Sequence, residues 1–281
     1  MSKPPLPRSQ PTENPAPIPG GLLPAMLSRG RLLLCLDYDG TLSEIVPHPA
    51  DARPLDGVGD LLAALTRDPE RLNVAIVTGR EITEVQRMLG VRRGILFSGT
   101  HGLEIVGRDG KCRVAPGAEN GFADLEKARK WLARNLAGQK GFVIEDKRRA
   151  IAMHYRMADP AVAEERRETL RLFVENETPT LRILNGNKID ELLPRGAGGK
   201  DIALRALLRE VGPPESAPVY FGDDTTDEDA FHEIRNDGVG VLVAAARPSW
   251  ARYRVDGPSD VARLLEELAR ELVHAAKPGS P

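Results

Sequence analysis

The chain has 281 residues, of which 41% are hydrophobic and 28% charged, a composition typical of a folded globular protein. Its 39 basic and 41 acidic residues give a formal net charge of -2, so charge alone predicts no nucleic-acid or membrane partner. The two cysteines form no metal-binding spacing and no disulfide framework, and no apolar run reaches the roughly 18 residues of a membrane helix. We therefore expect a cytoplasmic, monomeric protein.

The first 25 residues are predicted to be a disordered, proline-rich leader. The segment from Ser2 to Pro24 is rich in proline and polar residues and lacks the apolar stretch of a signal peptide. Because it offers little apolar surface to bury, we expect deletion of Ser2 to Pro19 to change neither melting temperature nor turnover. The alternative is that it binds a partner domain as a polyproline ligand.

The first functional signal follows a short apolar run, Leu32 to Cys35, that is typical of a buried parallel strand. Asp37 and Asp39 lie where this strand ends, and open α/β sheets bind ligands at that edge. Two carboxylates so placed can hold a divalent cation or divide nucleophile and proton-transfer roles. Gly40 and Thr41 then offer backbone N–H groups that suit a phosphate. An ordinary strand end with turn-forming residues is the alternative.

A second buried strand, Leu72 to Val77, ends in Thr78, Gly79 and Arg80 just before a predicted helix. A hydroxyl in this position can hydrogen-bond a phosphate oxygen. As a plain helix cap it would need no ligand, and the residues leave both interpretations open.

The pattern changes after a third strand, Gly94 to Phe97. Asp109 and Gly110 form a tight-turn dipeptide that indicates a hairpin, and a helix, two strands, a helix and two strands follow. Such an order is typical of a compact antiparallel α/β unit. We assign residues 104–193 to an inserted domain within a core formed by residues 26–103 and 194–281.

Two further signals lie beyond the insert. Lys200 follows a glycine-rich connection and precedes an amphipathic helix. A fourth apolar strand, Ala217 to Phe221, ends in the acidic run GDDTTDED, and a fifth strand follows at Val239 to Val243. A solvated helix start would also explain the acidic run. If the strands lie in one parallel sheet, all these groups converge at its carboxyl edge, with the inventory that phosphoryl transfer requires.

The segments LDYDGTL, VTGR and GDDTTDED, together with the isolated Lys200, resemble the four motifs of the haloacid dehalogenase-like phosphotransferases. This resemblance implies an α/β fold with a Rossmann-like parallel-sheet core and an inserted α/β cap domain. GTHGLE and NKIDELLPRGAGGK are more particular and resemble the trehalose-6-phosphate phosphatases, which release trehalose from its 6-phosphate. Asp201 is a departure, because the family usually has glycine after the lysine.

The resemblance implies the catalytic roles. Asp37 would be the nucleophile that forms an aspartyl-phosphate, and Asp39 would be the general acid and then the base. Thr78 would hold a phosphate oxygen, and Lys200 would neutralise the phosphate and the Asp37 carboxylate.

The resemblance also implies a Mg²⁺ site. The ligands would be the Asp37 carboxylate, the Asp39 main-chain carbonyl and Asp223. Asp224 and Asp227 would orient the bound waters and Lys200.

Trehalose 6-phosphate is the small-molecule substrate that the resemblance implies, with the cap domain closing over it. The matching substrate-binding positions are Gly40, Thr41, Gly79, Arg80, His101, Glu104, Lys188 and Glu191. His101 could instead orient backbone at the domain junction, and Lys188 and Glu191 could form a surface pair.

Other functions stay open at this point. The substrate could be sucrose 6-phosphate or a glycosyl-phosphoglycerate, and a mutase is a more distant possibility. A catalytically silent domain that binds a sugar phosphate or a partner synthase is the alternative from another class. The intact set of Asp37, Asp39, Lys200 and Asp223 argues against silence, because a binding protein needs no nucleophile.

Overall fold

A nine-stranded sheet and a four-stranded sheet organise the computed structural model, which describes residues 11–91, 93–212 and 216–275. Within these ranges, no helix combines the length and apolar character needed to cross a membrane. The strands are β1 (Ala16–Pro17), β2 (Leu32–Leu36), β3 (Leu72–Val77), β4 (Ile95–Gly99), β5 (Glu104–Val106), β6 (Cys112–Val114), β7 (Val143–Asp146), β8 (Ile151–His154), β9 (Leu181–Gly186), β10 (Ile189–Pro194), β11 (Ala217–Gly222), β12 (Val239–Val243) and β13 (Tyr253–Val255). The α-helices are α1 (Leu22–Arg29), α2 (Val58–Leu65), α3 (Ile82–Leu89), α4 (Phe122–Asn135), α5 (Pro160–Glu177), α6 (Lys200–Val211), α7 (Glu228–Ile234) and α8 (Pro258–Ala275).

The larger sheet has the order β1-β13-β12-β11-β2-β3-β4-β5-β6. Every pair from β1 to β4 in this order is parallel, as predicted for the core. The chain runs outward from β2 through β3 to β4 on one side, and from β11 through β12 to β13 on the other. The order therefore reverses between β2 and β11, and such a reversal opens a crevice at the carboxyl ends of the two strands.

Helices cover both faces of β2, which explains its uninterrupted apolar sequence. Leu32, Leu34 and Leu36 face one side, where they join a core that includes residues of α1, α2, α3 and α8. Leu33 and Cys35 face the other side and pack with residues of α6 and α7. Because all five residues are buried, the strand holds the backbone that follows it in a fixed position.

The smaller sheet is antiparallel, with the order β7-β8-β10-β9. Its core includes the fully buried Leu125 of α4, Ile151 of β8, Leu170 of α5 and Leu192 of β10. Glu191 lies next to Leu192 and, because neighbouring strand residues point to opposite faces, looks away from this core. The face without helices therefore carries the polar side chains that meet the larger sheet.

The predicted hairpin forms, but it extends the larger sheet. β5 pairs antiparallel with β4, and β6 pairs with β5. The domain assignment placed these strands in the insert, which began at residue 104. A single 3-10 turn over Thr100–Gly102 separates β4 from β5 and returns the chain alongside the free edge of β4.

The prediction of a disordered leader over residues 1–25 is wrong for its second half. Ala16 and Pro17 pair in parallel with Tyr253 and Arg254 at the edge of the sheet. Helix α1 begins at Leu22, packs against α8 and buries its apolar face. Composition did not reveal that this segment is ordered, because the residues that bury it lie more than 200 positions away in the chain. Residues 1–10 lie outside the described residues.

Leu27→Ala is expected to lower the free energy of unfolding by about 2–5 kcal/mol, because its side chain is only 2% exposed and its loss leaves a cavity. Leu172→Ala on α5 is the matched control. Leu172 is 46% exposed, so we expect a change within about 0.5 kcal/mol. Urea unfolding of both variants measures the difference. A Leu27→Ala protein as stable as its control would show that α1 does not pack on the sheet.

Candidate active site

Three charged side chains meet at the carboxyl ends of β2 and β11. Lys200, the first residue of α6, places its Nζ 3.0 Å from Asp37 Oδ2 and 2.5 Å from Asp227 Oδ1. All three side chains are at most 8% exposed. The Asp37 backbone N–H donates to the Phe221 carbonyl at 3.0 Å, which continues the pairing of the two strands and fixes the carboxylate. The predicted convergence of Asp37 and Lys200 is therefore present.

Asp227 organises this cluster because both its oxygens accept hydrogen bonds from within the protein. Oδ1 accepts from Lys200 and, at 2.8 Å, from the Tyr220 hydroxyl. Oδ2 accepts from the Asp224 backbone N–H at 3.0 Å. Sequence reasoning missed Tyr220, and its only signal was a hydroxyl within an otherwise apolar strand.

An acidic group that could hold a metal ion lies beside the lysine. One carboxylate oxygen from each of Asp37, Asp223 and Asp227 lies within 4.8 Å of the others. Since the oxygens of Asp227 already have partners, Asp37 and Asp223 are the side chains left for a cation. Carboxylate oxygens are the hard ligands that Mg²⁺ and Ca²⁺ prefer.

The electrostatics of the two carboxyl groups fit such a cation. Burial raises the pKa of Asp37 from 3.8 to about 8. The positive charge of Lys200 lowers this pKa, and the negative charges of Asp227 and Asp39 offset part of that lowering. Burial and then the charge of Asp37 raise the pKa of Asp223 from 3.8 to about 9. The ionised forms of these two groups therefore repel each other, and the raised pKa values favour their protonated forms in the metal-free protein. A divalent cation between them would remove this repulsion.

Gly40 allows Asp223 to approach the end of β2. A Cβ atom at this position would lie 2.1 Å from Asp223 Oδ2, and the glycine has a φ of 74°. Both the space and the left-handed backbone thus require glycine. Thr41, which follows, is fully buried, and its hydroxyl has no hydrogen-bond partner among the described residues.

Arg80 holds the carboxylate of Asp39. Its Nε and Nη2 donate to the two Asp39 oxygens, each at 2.8 Å, in a bidentate pair. Nη2 also donates to the Pro49 carbonyl at 2.7 Å and Nη1 to Glu84 at 2.8 Å. Arg80 lines the cleft as expected of a substrate-binding residue, but its donors point at protein groups. In this structure it positions Asp39.

Thr78 is not among the residues that line the cleft. Its hydroxyl is buried and accepts the Arg80 backbone N–H at 3.1 Å, the arrangement of a local turn. Gly79 does line the cleft, and a Cβ there would lie 2.4 Å from His101 Nε2. The glycine therefore makes room for the histidine.

The cleft lies between the two sheets and encloses about 910 Å³, part of it open to solvent. The smaller sheet and its loops contribute a wall of hydrogen-bonding side chains together with one isoleucine. These residues are Glu145, Lys147, His154, Arg156, Asn187, Lys188, Ile189 and Glu191.

Lys147 is the residue of this wall that sequence reasoning missed. It is 4% exposed, and its Nζ donates to Glu191 Oε1 at 2.6 Å and to the Gly79 carbonyl at 3.0 Å. Burial lowers the pKa of Lys147, but the negative charges of Glu191 and Glu145 raise it by a larger amount, so the net shift is upward. In the sequence, Lys147 stands in the run Lys-Arg-Arg, where nothing separates it from a surface lysine.

His101 and Glu191 join the two sheets from opposite sides. His101 Nε2 lies 2.8 Å from Glu191 Oε2. Burial raises the pKa of Glu191, but the charges of His101 and Lys147 lower it far more, so the carboxylate stays ionised. The His101 backbone N–H donates to the Thr78 carbonyl at 3.1 Å, and its own carbonyl accepts from Gly199 at 2.5 Å. His101 thus lines the cleft and also makes backbone contacts at the junction, while its contact with substrate stays a prediction.

Glu104, predicted to bind substrate, is not among the residues that line the cleft. It lies on β5, which the pairing with β4 carries away from the site, and it pairs with Arg149 Nε at 2.9 Å. Lys188 does line the cleft, from an exposed turn rather than from a strand.

Asp224 and Asp227 are expected to orient bound waters and Lys200, and in this structure the Asp224 carboxylate has other partners. Its Oδ1 accepts the Thr225 backbone N–H at 2.6 Å, and its Oδ2 accepts the Asn187 N–H of the insert at 3.1 Å. Of the two, it is Asp227 that contacts Lys200.

Comparison with known proteins identifies close relatives. A family model described as trehalose-phosphatase matches residues 35–259. A trehalose-phosphate phosphatase of Mycobacterium avium is 36% identical over 246 residues, which cover 84% of this chain and 61% of that protein. An uncharacterized glycosyl hydrolase of Mycobacterium tuberculosis is 36% identical over 269 residues, covering 92% of this chain and 20% of its own length. The chain thus spans between about one fifth and three fifths of these relatives.

A solved structure shares the architecture. The C-terminal domain of the C. albicans trehalose-6-phosphate phosphatase matches with a TM-score of 0.80 at 23% identity, over 92% of this chain and 99% of that one. At this identity the likeness concerns the fold. It confirms the predicted α/β class with a parallel-sheet core.

Tyr220→Phe is expected to lower the free energy of unfolding by about 1.5–3 kcal/mol, because the charged Asp227 loses a buried hydrogen bond. Tyr38→Phe is the matched control at the end of the neighbouring strand. Tyr38 is equally buried, but its hydroxyl has no partner among the described residues, so its removal should leave stability unchanged or raise it. Thermal or urea unfolding compares the two. Equal losses would show that the Tyr220 hydroxyl contributes nothing through Asp227.

Proposed function

This chain belongs to the trehalose-phosphatase family, and we propose that it hydrolyses trehalose 6-phosphate to trehalose and phosphate. The observation that supports this most strongly is the buried contact of Asp37 with Lys200, at the bottom of a cleft whose upper wall is polar. The part of the cleft that contains Asp37 and Lys200 offers a nucleophile and a positive charge for a phosphate. The upper part offers donors and acceptors for sugar hydroxyls.

In the first step, an Asp37 carboxylate oxygen attacks phosphorus and the bond between phosphorus and the sugar oxygen breaks. The sugar oxygen takes a proton from the Asp39 carboxyl group, and an aspartyl-phosphate remains on Asp37. In this structure both Asp39 oxygens accept hydrogen bonds from Arg80, so Asp39 must release at least one of these contacts to carry the proton. Lys200 offsets the repulsion between the phosphate and Asp37.

In the second step, water attacks the phosphorus of the aspartyl-phosphate and the bond to the Asp37 oxygen breaks. The Asp39 carboxylate, left ionised by the first step, takes the proton from that water. The Asp37 carboxylate and the proton on Asp39 are thereby restored, and inorganic phosphate is released.

We propose Mg²⁺ as the cofactor, held by the carboxylates of Asp37 and Asp223 and the main-chain carbonyl of Asp39. When bound, it would neutralise negative charge on the transferred phosphoryl group. Asp227 serves this site indirectly, since it fixes Lys200 through the contact at 2.5 Å.

We propose that the insert is the cap domain and that its polar wall binds the disaccharide. Glu145, Lys147 and Glu191 are charged groups that can each bridge neighbouring hydroxyls of a sugar ring. The contact of Lys147 with the Gly79 carbonyl sets this wall at a fixed place above the phosphate site. His101 and Lys188 complete the wall from the core and from the turn after β9.

Asp37→Asn is expected to reduce phosphate release from trehalose 6-phosphate by about four orders of magnitude or more, because an amide of the same shape cannot attack phosphorus. Asp237→Asn, an exposed position outside the cleft, is the control and should keep full activity. The assay should include sucrose 6-phosphate, and trehalose 6-phosphate should be the better substrate of the wild-type protein. Turnover near the wild-type level by a folded Asp37→Asn protein would exclude the covalent mechanism.

Mg²⁺ is expected to raise the melting temperature more at about pH 8.5 than at about pH 6. The pKa values of Asp37, about 8, and Asp223, about 9, lie above their usual 3.8. The stability that these two groups contribute to the metal-free protein therefore falls as pH rises from about 4 to about 9, because in the folded state they retain protons that the unfolded chain releases. Mg²⁺ competes with those protons, so its stabilising effect grows over the same range.

Calorimetry of chelated protein, with and without added Mg²⁺, measures this difference. Asp223→Asn removes one of the two carboxylates and should show a smaller response at both pH values. A metal effect that is equal at the two pH values, or larger at the lower one, would contradict the assignment of Asp37 and Asp223 as ligands.

A further inference from the structure

The turn between β9 and β10 reaches from the insert to the core loop that follows β11. The Asn187 backbone N–H donates to Asp224 Oδ2 at 3.1 Å, and the Asn187 carbonyl accepts from Arg156 Nη2 at 3.0 Å. Asn187 and Lys188 are both exposed. Hydrogen bonds rather than apolar packing therefore hold the tip of this turn.

The approach of the two segments is close. A Cβ at Gly186 would lie 3.1 Å from Asp224 Oδ2, so a larger residue at the end of β9 would crowd the carboxylate. A backbone N–H that donates to an ionised carboxylate makes a stronger hydrogen bond than a neutral pair does. Among the contacts between insert and core, this one falls on the loop that carries Asp223.

Asp224 connects the turn to the catalytic lysine. Its own backbone N–H donates to Asp227 Oδ2 at 3.0 Å, and Asp227 Oδ1 lies 2.5 Å from Lys200 Nζ. Lys200 in turn lies 3.0 Å from Asp37. A continuous series of polar contacts thus runs from the tip of the insert to the proposed nucleophile.

We propose that Asp224 is a positioning residue that latches the insert onto the core when the cleft is closed. The latch fixes the turn that carries Lys188, and through Asn187 it also fixes Arg156, so that both side chains keep their places in the lining of the cleft. This inference rests on the proposed function, since it assigns to Asp224 a part in capturing a sugar phosphate. A small aryl phosphate needs no contact with the insert and therefore depends less on the latch.

The carboxylate has two separable contacts. Oδ1 accepts the Thr225 N–H and its hydroxyl, which caps the short helical turn over Thr225–Asp227. Oδ2 makes the contact to Asn187. Serine caps helices about as well as aspartate but has one oxygen on a shorter side chain. Asp224→Ser should keep the cap of the turn and lose the latch.

Thr225→Ala is the matched control in the same loop. It removes an exposed hydroxyl that contacts Asp224 Oδ1 and leaves the Oδ2 contact in place. The Thr225 side chain is not among the residues that line the cleft, so its loss should leave the shape of the cleft unchanged.

Two measurements on the full chain test the proposal. For Asp224→Ser, the ratio of kcat/KM for trehalose 6-phosphate to that for p-nitrophenyl phosphate should fall about tenfold, which is the loss of one hydrogen bond to a charged group. Amide hydrogen exchange at Asn187, measured without substrate, should become faster in the same variant, because its N–H loses its acceptor. Thr225→Ala should keep the wild-type ratio and the wild-type exchange.

The outcomes separate this inference from the proposed function. Equal losses on both substrates, with a higher Mg²⁺ requirement, would assign Asp224 to the metal site and overturn the latch. An unchanged ratio or an unchanged Asn187 exchange in Asp224→Ser would overturn it as well. The exchange experiment needs no substrate. If exchange responds but the wild-type protein hydrolyses no trehalose 6-phosphate, the proposed function fails while the latch stands.

Discussion

The ion pairs of one buried ammonium group determine how the site is assembled. Burial lowers the pKa of Lys200, yet Asp227 and Asp37 raise it by more, so the lysine remains charged inside the protein. A buried charge without partners costs several kcal/mol. The start of α6, the end of β2 and the loop after β11 can therefore pack together only if they bring these three groups into contact. These elements could not pack in this way without the contacts that form the site.

The same cluster carries an excess of negative charge. One lysine faces the carboxyl groups of Asp37, Asp223 and Asp227, and the raised pKa values of Asp37 and Asp223 express the repulsion that remains. Such a site favours a cation, and we propose that Mg²⁺ supplies it. The bound cation and Lys200 would then together attract a phosphate to a place that the carboxylates alone would repel.

The two sheets contribute differently to the cleft. The larger sheet is packed on both faces and holds Asp37 and Asp223 rigidly, as precise positioning requires. The smaller sheet contacts it through polar groups, among them Lys147 with the Gly79 carbonyl and Asn187 with Asp224. Hydrogen bonds of this kind exchange readily for contacts with water or substrate. We propose that closure of the cleft responds to a ligand while the core stays unchanged.

The sequence by itself determined the parallel core and the place of Asp37 at the end of its first long strand. These follow from local rules, since a strand buried on both faces must be apolar throughout and its polar exit stands out. Only the tertiary structure decided that Ala16 and Pro17 join the sheet, that Lys147 faces the cleft, that Glu104 does not, and that Asp227 rather than Asp224 holds Lys200. The partners of these residues lie far away in the chain, and the choice of a side-chain partner depends on distances that no local pattern encodes.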